Sequence, residues 1–349
     1  MTPERPSVRR IADRIGVSAA TVSRVLNDKP GVAEHTRTRV LAAIREQGMV
    51  APAPVGQPFV GIIVPELENP AFALLAGAVE ARLSQYGVTA LIGSSTKHGP
   101  TELDYIETLL RRGIEGLVLV SGRHANPEAD HGFYWHLHGK HVAMVLVNGG
   151  VPGLPVSTVT TDEAAGAAMA VAHLHSLGHT RIALAGGEEF YRPSRHRLAG
   201  YRAAMTATFG GCDDALYVES TYSITGGQAA ARRLLDAGAT AIITGSDLMA
   251  LGAISAARES GRHVPTDVSV VGYDDSYLAA HSDPPLSTIQ QPIEQMSTAI
   301  ATAMWQQLQG YHVPHVDHRF TPRLVARAST TAAPATPSPR AQETPASGT

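Results

Sequence analysis

From Phe59 onward the chain repeats one alternation, a short apolar run followed by an Ala- and Leu-rich helical stretch. The runs FVGIIV (59–64), VTALIG (88–93), GLVLV (116–120), HVAMVLVN (141–148), RIALAG (181–186), TAIIT (240–244) and VSVVGY (268–273) are near-continuously apolar. Strands apolar on both faces must be covered on both faces, which is the pattern of parallel sheets under crossover helices. The stretches 71–86, 101–112, 162–177, 195–208, 226–237 and 247–260 supply that cover. Such an alternation predicts an α/β body of doubly wound parallel sheets in two lobes.

At 349 residues the chain exceeds the ~100–200 of a single domain. No apolar run reaches the ~18 residues of a membrane span, so no membrane contact is expected. The N-terminus, MTPERPSVRRIADRIG, lacks an apolar core followed by a small-residue cleavage site, and a cytoplasmic protein is expected. Cys212 is the sole cysteine, which excludes an internal disulfide and a cysteine-based zinc cluster and reads as a plain buried or loop thiol.

Charge divides the chain. Residues 1–50 hold nine Lys or Arg against five Asp or Glu, a net of +4, which leaves −7 on the remainder of a chain whose net charge is −3. A small basic head on an acidic body points to a polyanion met by the head alone, although a solvated charged face gives the same tally. The head reads as three helices. The first ends at Gly16, the second runs from the N-cap Ser18 to about Leu26, and the third spans about Glu34 to Gln47. In the second, Val22, Val25 and Leu26 turn inward, while Ala19, Ala20, Ser23, Arg24 and Asn27 face out. That is the arrangement of a helix-turn-helix: small residues at the end that enters the major groove, an arginine able to read guanine, and Thr21, Ser23 and Asn27 for phosphates. Three helices would equally serve a protein-binding module.

The run IADRIGVSAATVSRVLNDKPGVAEHTRTRVLAAI resembles, almost position for position, the DNA-binding head of the LacI/GalR (lactose-repressor/galactose-repressor) family. The matching elements are Ile11-Ala12, Gly16-Val17-Ser18, Thr21 to Asn27, and Thr36-Arg37. The resemblance implies base reading by Ala19, Ala20 and Arg24, with Ser18, Thr21, Ser23 and Asn27 completing the DNA-binding set. Ala33 departs from the serine usual at the start of the third helix.

The resemblance continues to about Thr330 through NPAFALLAGAVEARLSQYG, LGHTRIALAGG, RLAGYRAAM, TGSDLMALGAI, VSVVGYDD and LSTIQQP. It implies a two-lobed periplasmic-binding-protein-like body with an effector between the lobes. From the residues themselves, Asn148, Ser246 and Asp274 follow apolar strands, where ligands of open α/β sheets bind, and Arg197 sits early in a helix. A facing carboxylate and guanidinium would hold hydroxyls of a polyol, with Tyr222 stacked on its C–H face. Asp274 as a helix cap and Arg197 as a surface ion pair are the plain alternatives. By resemblance the effector positions are Asn148, Arg197, Tyr222, Ser246, Asp274 and Gln291, with Phe72 either joining them or lying in the core. Ser246 stands where the family usually has asparagine.

His175 and His179 are four apart, as helical metal ligands are, with His173 in the same run HLHSLGH, and a separate run HGFYWHLHGKH holds His131, His136, His138 and His141. No glutamate completes an H-E-x-x-H pattern, so no metal site is expected and these read as surface or helix-end histidines. The chain holds no P-loop, no G-x-G-x-x-G opening a helix and no G-x-S-x-G elbow, so neither an enzyme nor a bound cofactor is expected.

Between head and body lies APAPVGQP (51–58). The family carries a hinge helix here that wedges a leucine into the minor groove. Pro52, Pro54 and Pro58 each remove an N–H and disfavour helix, and no leucine lies between Met49 and Phe59. The expectation is a semi-rigid spacer on the order of 20–25 Å long with no hinge helix.

The organisation expected is therefore a helix-turn-helix domain at 1–50, a Pro-rich linker at 51–58, an effector-binding and dimerisation body at 59–330 and a disordered tail at 331–349. The function expected is a homodimeric regulator, a repressor, that binds double-stranded DNA at a pseudo-palindromic operator under control of a small-molecule effector, a sugar or its derivative. The alternative is a ligand-sensing protein whose head no longer binds DNA specifically.

Overall fold

The computed structural model describes residues 8–26, 31–46, 58–95, 99–311 and 315–334. Most of the linker, Asn27 and residues 335–349 lie outside these, and with them the hinge reading. The chain divides into two compact units at Pro58/Phe59.

The first unit comprises α1 (Val8–Ile15), α2 (Ala19–Leu26) and α3 (Glu34–Glu46). Gly16 ends α1 with a φ of +66°, and Val17 N–H reaches back to Ala12 O at 3.0 Å. This is a left-handed helix stop that costs a glycine little. Ser18 then starts α2, its hydroxyl accepting from Thr21 N–H at 3.0 Å. Ile11, Val22, Val25, Val40 and Ile44 are at most 2% exposed and form the core of the unit. Arg39 crosses from α3 to donate to Ile15 O at 2.8 Å, satisfying a carbonyl left open at the end of α1. The absence of a serine at position 33 does not prevent α3 from starting at Glu34, with Ala33 O accepting from Thr36 and Arg37 N–H.

The second unit is two lobes. The first holds β1 (Phe59–Val64), α4 (Pro70–Gln85), β2 (Thr89–Ser94), α5 (Glu102–Arg111), β3 (Gly116–Val120), α6 (Gly132–Gly139), β4 (Ala143–Val147) and β5 (Ser157–Thr161). The chain then crosses to the second lobe for α7 (Glu163–Ser176), β6 (Ile182–Gly186), α8 (Arg192–Phe209), β7 (Tyr217–Glu219), α9 (Ile224–Asp236), β8 (Ala241–Thr244), α10 (Asp247–Glu259), β9 (Ser269–Asp274), α11 (Tyr277–His281) and β10 (Ser287–Gln290). It returns for α12 (Ile293–Leu308) and β11 (Asp317–Phe320), and crosses a third time to β12 (Arg323–Val325).

The sheets run β11-β5-β4-β3-β1-β2 and β12-β10-β9-β8-β6-β7, parallel throughout except that β12 lies antiparallel to β10. Each sheet is buried on both faces, as its continuous apolar runs demand. The doubly wound fold therefore stands as the sequence predicts. The strands that carry the crossings escape that reading, because STVTT, STIQ and DHRF are not apolar.

Two further differences concern the C-terminus and the histidines. The first residues of the expected tail, 331–334, are held in place: Thr331 N–H donates to Ser269 Oγ at 3.1 Å and Ala333 N–H to Leu177 O at 2.8 Å. His179 lies just past the end of α7, at the helix terminus expected, and is fully buried. Its ring spans Thr240 Oγ1, Ser269 Oγ and Thr331 O at 3.0 to 3.1 Å, and His173 holds Thr330 Oγ1 at 3.0 Å. These rings fasten the last residues to the second lobe, and burial lowers the pKa of both.

Helices α9 and α10 pack backbone to backbone. A Cβ on Gly252 would fall 2.0 Å from Ile224 O, and one on Gly227 2.1 Å from Met249 O. Gly252→Ala should therefore destabilise the body by ~1–3 kcal/mol or more, since backbone rather than a flexible side chain must move. A lowered thermal midpoint in calorimetry is the outcome expected, and an unchanged one would refute the close approach.

Candidate nucleic-acid interface and ligand cleft

On α2 the inward positions are fixed by the core, and this decides what is left outside. Ala20, Ser23 and Arg24 are exposed, and Ala19 and Thr21 are half-buried at the same end. Ser18 and Thr21 hydroxyls bond one another at 2.8 Å, so both are held at the helix start. The surface that α2 offers is thus small side chains at its N-terminus with one long guanidinium a turn later.

In the second unit the cleft follows from topology. Chain order reverses between β1 and β3 in the first sheet and between β6 and β8 in the second, and the loops at the carboxyl ends of these strands open apart there. They line an interlobe cleft of about 1420 Å³. Three of its residues, Ser121, Asn148 and Asp274, are non-glycines held at positive φ (48°, 66° and 112°) at strand ends. Backbone strain of this kind persists where the surroundings dictate a side-chain direction.

Arg197 forms the floor on the second lobe. It is 4% exposed, donates from Nη2 and Nε to Glu163 Oε2 at 2.6 and 3.1 Å and from Nη1 to Gly245 O at 2.5 Å, and lies 3.7 Å from the centroid of the Tyr273 ring. Burial works to lower its pKa, but the Glu163 carboxylate together with Tyr222 and Tyr273 outweighs it, and the guanidinium titrates well above its ordinary range. Tyr222 stands beside it, its hydroxyl bonded to Ser194 Oγ at 2.7 Å and its ring against Gly187 and Gly245, where any Cβ would collide with it. Asp274 accepts from Gln291 Nε2 at 2.7 Å, and Gln291 Oε1 accepts from Thr161 at 3.0 Å, so one amide ties two interlobe crossings to the cleft floor. Burial, together with the nearby Asp247 carboxylate, drives the Asp274 pKa well above the usual carboxylate range. Burial also pushes Asp247 up to about 6, against hydrogen bonds from Thr288 Oγ1 and Ser276 N–H at 2.7 Å each.

On the first lobe, Asn148 donates to Ser121 Oγ at 2.9 Å and leaves its own carbonyl oxygen buried without a donor. Phe72 both lines the cleft and packs on the core. Glu102, 6% exposed, accepts from the Tyr134 hydroxyl and from Arg123 N–H. An exposed Arg195–Glu128 ion pair links the lobes.

Of the positions expected to meet an effector, Phe72, Asn148, Arg197, Tyr222, Asp274 and Gln291 are brought together in the cleft wall. Ser246 is not. It is 1% exposed and its hydroxyl caps α10 by accepting from Met249 N–H at 3.3 Å. A serine is short enough to fold back onto its own helix start, which is the commonest use of that residue at that place. Sequence reasoning missed Glu163 and Glu102. Glu163 follows Asp162 at the head of α7, where an acid reads simply as a dipole partner. Among the described residues no group of three or more His, Cys, Asp or Glu side chains is placed to hold a metal. No helix among them is long and apolar enough to cross a membrane.

Comparison with known proteins agrees with this architecture. Residues 7–50 match the model of bacterial regulatory proteins of the lacI family, and residues 171–330 that of a periplasmic binding protein-like domain. The HTH-type transcriptional regulator MalR of Streptomyces coelicolor is 43% identical over 93% of this chain and 96% of its own length. Among solved structures, a complex of the transcriptional regulator CelR with cellobiose is 31% identical with a TM-score of 0.70, covering 93% of this chain and all of that one. The lac repressor dimer bound to operator and the anti-inducer ONPF is 28% identical with a TM-score of 0.73, covering 94% of this chain and all of that one. The curated relatives are named as regulators of transcription and not as enzymes. With a helix-turn-helix head, two doubly wound lobes and relatives matched along nearly their whole length, the chain belongs to the LacI family of DNA-binding transcriptional regulators.

Proposed function

We propose that this regulator is a cytoplasmic repressor that binds a two-fold symmetric operator as a homodimer, and that its cleft takes an uncharged saccharide of at least two rings. The observation that carries the effector reading is the charge of the cleft. Glu66, Glu68, Glu102, Glu163, Glu188 and Asp274 line it against only Arg123 and Arg197, and Arg197 is already neutralised by Glu163. Such a lining repels phosphate and carboxylate groups, while its buried acceptors suit hydroxyl donors. Phe72, Phe190, Tyr191 and Tyr222 add aromatic wall for the C–H faces of sugar rings. At about 1420 Å³ the space exceeds the ~300–1,000 Å³ of ordinary small-molecule pockets, which favours more than one ring. The cellobiose bound by the CelR structure is of this class.

On the head, Ala19, Ala20 and Arg24 would read bases, with Ser18, Thr21, Ser23 and Asn27 on phosphates. The Pro-rich linker would pass control from body to head without a hinge helix, through the spacing and freedom of the two heads, as the effector favours one state of the lobes over the other.

Selection of randomised and genomic DNA by the purified full-length protein should enrich a symmetric site. Affinity for it should fall steeply, ~10³-fold or more, between ~50 and ~200 mM salt. Arg24→Ala should cost ~1–3 kcal/mol and relax preference at one base pair of each half-site. Absence of any enriched site would leave a ligand sensor without specific DNA binding.

For the cleft, titration calorimetry should show binding of a neutral disaccharide such as cellobiose or maltose and none of glucose 6-phosphate at that site. Arg197→Ala should lower stability by about 3–5 kcal/mol by leaving Glu163 buried and unpaired. The double replacement Arg197→Met/Glu163→Gln should regain most of that stability while still failing to bind the disaccharide. Retained binding in the double variant would remove Arg197 from the recognition set.

A further inference from the structure

Thr161, Gln291 and Arg323 stand at the three crossings between the lobes, and hydrogen bonds bring all three to one pair of carboxylates, Asp274 and Asp275 at the end of β9. Both acids are non-glycines at positive φ, 112° and 55°. Two such residues in succession keep their form only while the surroundings impose it. Gln290 is placed to impose it. It ends β10, the strand between β9 and β12, and is the register partner of Asp274 on one side and of Arg323 on the other. Its side chain repeats that position: Nε2 donates to Asp275 Oδ2 at 2.6 Å, and Oε1 accepts from Arg323 Nε. With a carboxylate at one end and a guanidinium at the other, the amide can face only one way. Arg327 Nη2 donates to the remaining oxygen, Asp275 Oδ1, at 2.7 Å, so that carboxylate is held at both ends. Asp274 in turn accepts from Gln291 Nε2 at 2.7 Å and lines the cleft, which Gln290, Asp275 and Arg323 do not.

We propose that Gln290, braced by Arg323, is a positioning residue for the effector site: resting on the proposed contact of Asp274 with the effector, it holds Asp275 so that Asp274 keeps facing the cleft, and it ties that setting to the third crossing. Arg323 opens β12 directly after the chain crosses at 321–322, so a change in the relative setting of the lobes pulls on Gln290 through the guanidinium, and Asp274 moves with the turn. Conversely, an effector that fits one setting of Asp274 better than another biases the lobes toward the setting that matches it.

Gln290→Leu keeps most of the side chain's bulk, leaves Asp275 paired with Arg327 and leaves Arg323 in solvent, so its thermal midpoint should stay close to that of the unaltered protein. In titration calorimetry of the full-length protein its affinity for cellobiose or maltose should fall about fivefold or more, and that of Arg323→Ala about twofold or more. Gly252→Ala, which destabilises the same lobe away from this turn, should bind as tightly as the unaltered protein. Crystal structures of the unaltered protein and of Gln290→Leu, both without ligand, should show Asp274 off Gln291 and out of the positive φ range in the variant alone. That comparison needs no effector: if the unaltered protein binds neither sugar, the saccharide reading fails by itself and the two structures decide the role of Gln290. Asp274 unmoved in the variant, or undiminished affinity for a sugar that the unaltered protein binds, overturns that role, and undiminished affinity in Arg323→Ala overturns the tie to the third crossing.

Discussion

The Arg197–Glu163 pair is the contact on which the second lobe's half of the cleft depends. Glu163 is the first residue of α7, directly after the first interlobe crossing, and Arg197 lies one turn and a half into α8. Their bond fixes α7 to α8 at the point where both helices begin. The remaining donor to Gly245 O and the stack on Tyr273 fix the loop after β8 and the strand β9 to the same place. A Cβ on Gly200 would fall 2.4 Å from Ala164 Cα, so the two helices close as tightly as backbones allow just beside the pair. Two ions buried to this degree gain little net stability over apolar residues of the same size. Their value lies in direction: they hold a flat, multi-donor group at the cleft floor at a net charge near zero.

That neutrality bears on what the interlobe cleft can accept. In the cleft the arginines are outnumbered by carboxylates, and the nearby Asp247 adds to the burial that raises the Asp274 pKa. A second, smaller interlobe groove shares Asn148, Glu163 and Pro193 with the cleft as a common wall. Both draw walls from both lobes, and any ligand that fits one relative setting of the lobes better than another shifts that setting.

How far this was legible in the sequence depends on whether a residue's task shows in its chemical type. Parallel strands buried on both faces must be apolar, and seven of them were plain. Ser157 to Thr161 was not, because its buried threonines spend their hydroxyls on Asp317 and Gln291 rather than advertising a strand. Ser287 and Thr288 likewise serve Arg327, Thr330 and Asp247. The carboxyl ends of parallel strands located Asn148 and Asp274, after β4 and at the end of β9, since topology alone turns those ends toward the cleft. Ser246 shared that position yet turned inward, and no pattern in sequence tells a short hydroxyl whether to face a ligand or its own helix. Glu163 was hidden for the converse reason, an acid at a helix start having an ordinary explanation already.

Control of the head by the body then reduces to what the linker transmits. A hinge helix would couple the two through folding, a cooperative event that contributes or withholds several residues of helix at once. Prolines at 52, 54 and 58 disfavour that event, which is why the proposed control does without it. What remains is geometric. Phe59 opens β1, whose far end at Val64 runs into the cleft loop 65–69, so the strand that begins at the linker ends at the effector. A strand paired on both sides, to β2 and β3, moves as a rigid rod with its lobe. Any rotation of the first lobe on ligand binding therefore reaches residue 59 undiminished, and in a dimer the same rotation at two linkers changes the distance between two heads that must fit half-sites on one face of the duplex.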